Sequence, residues 1–304
     1  MPDSLRHAIL GAGGVGGLVG ANLARNGASV TLVVRRESIE HYPKQLHLES
    51  SFGNVDVPVA TAVAVPPVDV LWLTTKATEL DSALAALHNP EDAGAIVPLL
   101  NGVDHIAALR SRYGAERVIP ATIAVESEKI APGHVVHRSR FARLSVAASG
   151  EKLLRPTLDS LQKIGFDCRF VADDPTLMWG KLVMLGPLAL TTTAGDRDIG
   201  GVQSDAVWKA RLEECVRESC AVASAEGAKL DVETIVATVF KMPGEMRSSM
   251  QKDVEQGKLP ELDAIAGPIL RGGQQHGIEV PTTKLLVTGV EQRMAQVAAG
   301  KRTA

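Results

Sequence analysis

The residues most able to do chemistry stand far apart in the sequence. Leu177, Lys181, Met184, Leu185 and Leu188 recur at i, i+4, i+7, i+8 and i+11, one stripe of a helix opened by Asp174-Pro175. Lys181 thus falls on an apolar face, where an ammonium is costly to bury unless it has a carboxylate partner or borders a wet cleft. A snorkelling side chain, its stem over apolar surface and its nitrogen in water, fits the spacing equally well. Pro187 has no amide to give to Val183, so the helix is expected to kink or end within two turns of Lys181. Further on, Ser248-Ser249 reads as a helix cap. Glu261 reads as a first-turn acid favoured by the helix dipole, after a Pro260 suited to the first helical position.

At the other end, Gly11-Ala12-Gly13-Gly14-Val15-Gly16 follows an apolar strand and enters a helix. In that context the pattern makes a tight turn at Gly11, admits a pyrophosphate against backbone at Gly13 and lets helix pack on strand at Gly16. A glycine-rich turn without ligand is the plain alternative. The residues after the second strand discriminate between cofactors. NAD calls for an Asp or Glu about 20 residues on, to accept from the ribose 2′-hydroxyl. Arg35 and Arg36 stand there instead, two guanidiniums suited to a 2′-phosphate, which predicts NADPH over NADH. As solvated loop charges they would need no ligand, and Glu37 is placed to pair with one of them. Lys76 and Asn101-Gly102 each follow an apolar run, where open α/β sheets bind ligands. Alone they also read as a surface lysine and a turn.

These residues need a two-part frame. The first half alternates β-branched runs with amphipathic stretches, the signature of βαβ units and a parallel sheet. Strands are expected at His7–Leu10, Ser29–Val34, Val68–Thr74, Ala95–Leu100 and Arg117–Pro120, with helices such as Gly17–Asn26 and Glu79–His88 between them. His134–Arg138 and Arg143–Ala148 read as an antiparallel addition to that sheet. After about Val171 the strands stop and the pattern turns helical. The expectation is an α/β chain with a dinucleotide-binding domain over 1–171 and an all-α domain over 172–304. In the last helix, Leu286, Val290, Met294 and Val297 form a stripe suited to internal packing or to a dimer, which leaves monomer or homodimer open.

Composition narrows the partners. A hydrophobic fraction of 45% supports a buried core, and a net charge of −3 leaves no cationic excess for a nucleic acid or an anionic membrane. No apolar run approaches the roughly 20 residues of a bilayer span, and the start is no signal peptide, so a cytoplasmic protein is expected. Three cysteines without C-x-x-C spacing support neither a disulfide framework nor a thiolate zinc site.

Taken in order, the motifs resemble the ketopantoate reductase (2-dehydropantoate 2-reductase) family, from about Ile9 to Leu286. They are the glycine turn, Arg35, Lys76 after Thr75 in place of the family's Val, Asn101-Gly102, and Pro132-Gly133-His134-Val135-Val136-His137. Trp179-Gly180-Lys181-Leu182, Ser248 to Asp253 and Glu261 to Gly267 follow. The resemblance implies an N-terminal Rossmann domain, an all-helical C-terminal domain, and NADPH-dependent reduction of a 2-oxo acid in the cleft between them. It implies Lys181 as proton donor, Asn101 and Lys76 beside nicotinamide and substrate, and Ser249 on the substrate carboxylate. Glu261 would contact the cofactor ribose or orient the lysine. The residue types agree: hydride addition to a ketone leaves charge on oxygen, which an ammonium can stabilise and protonate.

One departure stands out. In the family, asparagines one and two turns after the catalytic lysine bind the substrate's hydroxyl and carboxylate. This chain has no Asn after Asn101; Leu185 or Gly186, Ala189 and Ile199 occupy those positions. A pocket without those amides is expected to take a bulkier or more apolar ketone, keto acid or imine. Glu126, after Ile123-Ala124-Val125, reads either as a surface hairpin acid or as a group binding an amine or hydroxyl. A related ketone, imine or opine-type reductase, and a non-catalytic NADP-binding protein, are the competing functions.

Overall fold

The computed structural model describes residues 5–302. The chain divides into two compact units, one of Met1–Leu100 with His105–Leu177, the other of Asn101–Asp104 with Met178–Ala304.

In the first unit, β1 (Arg6–Leu10), α1 (Gly14–Arg25) and β2 (Ser29–Val33) form the opening βαβ turn. Then come β3 (Gln45–Ser50), β4 (Val55–Pro58), β5 (Ala60–Ala62), β6 (Val68–Leu73), α2 (Leu80–Leu84), β7 (Ala93–Pro98) and α3 (Asp104–Tyr113). The remainder is β8 (Ala121–Ala124), β9 (Ser127–Ala131), β10 (His134–His137), β11 (Arg143–Ala147), α4 (Glu151–Gln162) and β12 (Asp167–Val171). The main sheet is parallel in the order β5-β2-β1-β6-β7, with the strand order reversing between β1 and β6. That is the doubly wound arrangement, which binds ligands beyond the strand ends at the reversal. Its strands are nearly all apolar because both faces are covered, and Ile9, Leu32, Leu71 and Ile96 are fully buried.

Several expectations about this half need correction. β10 and β11 do not extend the main sheet: β10 belongs to a sheet ordered β4-β3-β10-β9, and β11 to one ordered β12-β11-β8. Each of the two pairs with one parallel and one antiparallel neighbour. Residues 117–120 contribute a single bridge, Val118 to Ile96, in place of a strand. Of the stretch 79–88 only the five-residue α2 is α-helical, preceded by a 3₁₀ turn over Ala77–Glu79, and the Ala86 carbonyl accepts from Val65 N–H.

The second unit is helical among the described residues: α5 (Asp174–Gly195), α6 (Ile199–Ser204), α7 (Ala206–Ala225), α8 (Val232–Val239), α9 (Ser249–Glu255), α10 (Leu262–His276) and α11 (Pro281–Arg302). Its core joins Trp179, Leu182, Val183, Val216, Ile265, Ile269, Leu286 and Val290. Of the stripe on α11, Leu286 and Val290 are buried in this core and Met294 packs against it. α5 does not end near Pro187; it runs on to Gly195. Proline removes one hydrogen bond, and the next residues, Leu188 to Thr193, are all buried, so tertiary packing holds the helix past it. No described helix is long and apolar enough to cross a membrane. Cys168, Cys215 and Cys220 are free and buried.

Candidate active site

In the first unit the glycine turn has the expected form. Gly11 adopts φ +109°, and a Cβ there would lie 2.6 Å from the Thr75 backbone nitrogen, so the turn is pressed against the end of β6. Thr74 Oγ1 fastens it by donating to the Gly11 carbonyl at 2.8 Å. Gly13 is the N-cap of α1, with no side-chain cap and no acid in the first turn. A Cβ on Gly13 would meet only the Gly11 carbonyl, 4.0 Å away. The positive end of α1 is thus left open to an anion, and the residues present fit a diphosphate.

Arg35 and Arg36 are exposed just beyond β2. The partner of Arg35 is Glu79, at 3.4 Å, rather than the neighbouring Glu37. Such an exposed pair is weakly held. Lys76 is half-buried after β6 and its carbonyl accepts from Glu79 N–H, starting the 3₁₀ turn that carries Glu79. Glu126 is exposed between β8 and β9, with its backbone tied to Arg138 and Ser139.

In the second unit Lys181, Asn101 and Glu261 come together. Lys181 Nζ donates to Asn101 Oδ1 at 2.9 Å, and Asn101 Nδ2 donates to Glu261 Oε2 at 2.9 Å. The amide has only one sensible orientation here, because an ammonium only donates and a carboxylate only accepts. The Asn-Gly pair is more than a turn. Gly102 has φ +85°, and a Cβ would lie 2.3 Å from the Ala264 carbonyl, so backbone docks on the first turn of α10. That docking sets Asn101 beside Glu261. Arg271 reinforces it from the far side, binding Asp104 at 2.5 Å and Asp263 at 2.7 Å.

Glu261 is buried and is the N-cap of α10, not a first-turn residue, so Pro260 lies outside the helix. Its carbonyl accepts from Ile265 N–H while its carboxylate turns to Asn101. Of the stripe that carries Lys181, Leu177 and Leu188 are buried and the lysine is half-buried. Met184 and Leu185 beside it are half-buried, whereas Trp179, Leu182, Val183 and Leu190 off the stripe are buried. Burial pushes the Lys181 ammonium down to about 8, and the negative charge of Glu261 opposes the fall. A lysine so tuned can release a proton near neutral pH, as a general acid should.

Ser249 is exposed as the first residue of α9. The buried serine is its neighbour Ser248, whose Oγ accepts from Gln251 N–H at 3.1 Å and meets Thr192 Oγ1 at 3.0 Å. The Thr192 contact was not readable from sequence, since only the cap has a local signal. The positions without asparagine are explained by packing. Gly186 lies against α10, where a Cβ would come 3.3 Å from Ile269 Cδ1, and Ala189 and Ile199 are core residues.

Comparison with known proteins gives the chain's family. The model of the family "Ketopantoate reductase PanE/ApbA" matches residues 7–149, and that of its C-terminal part matches 176–293. The 2-dehydropantoate 2-reductase of Caulobacter vibrioides is 31% identical over 296 residues, covering 92% of this chain and 96% of that protein. The enzyme of the same name from Archaeoglobus fulgidus is 27% identical, covering 94% and 98%. A crystal structure of a PanE/ApbA family ketopantoate reductase from Ralstonia eutropha superposes with a TM-score of 0.83 at 27% identity, covering 96% of this chain and 99% of that one. A D-mandelate dehydrogenase with NADH and anilino(oxo)acetate matches in fold, with a TM-score of 0.84 at 21% identity and the same coverage. With both halves of the family model matched in order, the chain belongs to the ketopantoate reductase family of oxidoreductases.

Proposed function

We propose that this protein reduces the carbonyl of a 2-oxo acid with NADPH, with Lys181 giving the proton to the carbonyl oxygen; ketopantoate is the first substrate to test. The observation that carries the reading is the hydrogen-bonded series Lys181–Asn101–Glu261, built on an ammonium that burial lowers to about 8 against the opposing charge of Glu261. Bound NADPH supplies the hydride. The glycine turn into α1, from Gly11 through Ala12, Gly13, Gly14 and Val15 to Gly16, receives the diphosphate, and Arg35 with Arg36 the 2′-phosphate. Glu261 acts through Asn101 to keep Lys181 charged until the oxygen develops negative charge. Lys76 contributes on the cofactor side. Ser249 is assigned to the substrate carboxylate, as its exposure allows.

A second reading has its own support. Leu185, Gly186 and Ala189 offer no amide to a substrate hydroxyl, and Gly186 has little room for one. This favours a more apolar ketone, keto acid or imine, an opine-forming partner reaction included. Loss of NADPH absorbance across a panel of 2-oxo acids, with and without an added amine, separates the two. The reductase reading fails if no member is turned over, or if Lys181→Ala turns over at a near-normal rate while still binding NADPH.

A further inference from the structure

The first unit also carries a side-chain cluster that the reductase chemistry leaves unused. β3 and β10 are parallel with His47 opposite His134, and β4 runs antiparallel to β3 with Asp56 opposite His47. Side chains alternate across a sheet, and Leu46, Leu48, Val57 and Val135 are buried, so His47, Glu49, Asp56 and His134 share the other face. The two imidazoles meet edge to face with centroids 4.8 Å apart. Glu49 Oε1 lies 2.7 Å from His134 Nε2 and 3.7 Å from His47 Nε2.

The tautomer of His47 is set by its other nitrogen. Nδ1 lies 2.8 Å from Asp56 Oδ1, and since a carboxylate only accepts, the proton of the neutral ring resides there. Nε2 therefore turns a lone pair toward the Glu49 carboxylate. That lone pair and the Glu49 carboxylate can both ligate a cation placed between them.

We propose that His47, His134 and Glu49 bind a divalent transition ion of the zinc type, with Asp56 orienting His47. Two imidazoles and one carboxylate suit zinc, whereas calcium and magnesium prefer oxygen donors alone. Ligand atoms around tetrahedral zinc stand roughly 3.4 Å apart, from bonds of about 2.0–2.1 Å. Here all three atoms lie within 4.8 Å of one another, so small side-chain rotations close the site. The bond from His47 Nδ1 to Asp56 is the outer carboxylate that zinc-binding histidines use to fix ring orientation. The side chains of His47, Glu49 and His134 keep 41%, 46% and 33% of their surface exposed, so the ion enters from solvent and water completes its shell.

Calorimetric titration of the metal-free protein with Zn(II) alone tests this. The expected result is one ion per chain, at least tenfold weaker binding in His47→Ala and in His134→Ala, and roughly 10–100-fold weaker binding in Asp56→Asn. His88→Ala leaves binding unchanged, and Mg(II) gives no binding heat. Independently of any variant, the Nε2 resonances of His47 and His134 shift on addition of Zn(II). Absence of stoichiometric zinc binding overturns the proposal. So does stoichiometric binding that survives both histidine substitutions, or unshifted Nε2 resonances.

Discussion

Lys181 is drawn in two directions, down to about 8 by burial and upward by the charge of Glu261. Reductive turnover should accordingly fall as pH rises through about 8, because the neutral amine has no proton to give. Glu261→Gln removes the opposing charge and should move that alkaline limb to lower pH. A kcat profile over pH checks both, and an unmoved limb would show that Glu261 does not act on the lysine. The lowered pKa also affects stability with a definite sign: between about 8 and the ordinary 10.5 the unfolded chain binds more protons, so this group's contribution to stability rises with pH across that window. Asn101→Ala breaks hydrogen bonds to two charged groups, each worth about 1.5–3 kcal/mol, and should lower kcat by roughly 10–100-fold with little change in NADPH affinity. Arg35→Ala should raise the KM for NADPH and leave that for NADH nearly unchanged; equal effects on both cofactors would reject the 2′-phosphate assignment. Residue types and family order were enough to single out Lys181, Asn101 and Glu261. Their hydrogen-bonded series was not readable, because its links span 80 and 160 residues of sequence.

The elements that hold these residues differ in how plainly the sequence announces them. β1, β2, β6 and β7 are uninterrupted apolar runs, and both faces of their sheet are covered, so pattern and structure agree. β3 also had a signal, Leu46 and Leu48 alternating with His47 and Glu49, but it is short and polar on one face. Its pairing with β10 joins residues 47 and 134, a register no local pattern encodes. At Pro187 the expected helix end did not come, because burial of the residues beyond it outweighs one lost hydrogen bond. Gly102 shows where an element depends on one position. Gly102→Ala places a Cβ against the Ala264 carbonyl at positive φ and should destabilise the fold by about 2–4 kcal/mol, read by denaturant titration, with kcat falling alongside. Full stability in that variant would mean the docking of Asn101 on α10 is looser than described.

At the scale of the whole molecule, the two units were foreseen as consecutive stretches of chain, yet Asn101–Asp104 belongs with the helices. Apolar periodicity locates cores, and a four-residue segment held by a glycine contact and the Asp104–Arg271 pair leaves no trace in it. A fragment of residues 172–304 should therefore be less stable than the same helices in the intact protein. Trp72 is the tryptophan of the first unit, so a Trp72→Phe background leaves Trp179 and Trp208 as reporters of helical-unit unfolding. Coincident transitions for fragment and intact protein would refute this.

The borrowed tetrapeptide also constrains recombination. A chimera joined near residue 172 imports the donor's counterpart of Asn101 and Gly102 along with its coenzyme specificity, so the recipient's acid must accept a foreign amide. Hybrids that keep the native 101–104 while exchanging the sequence on both sides of it should turn over faster than those cut at a single junction.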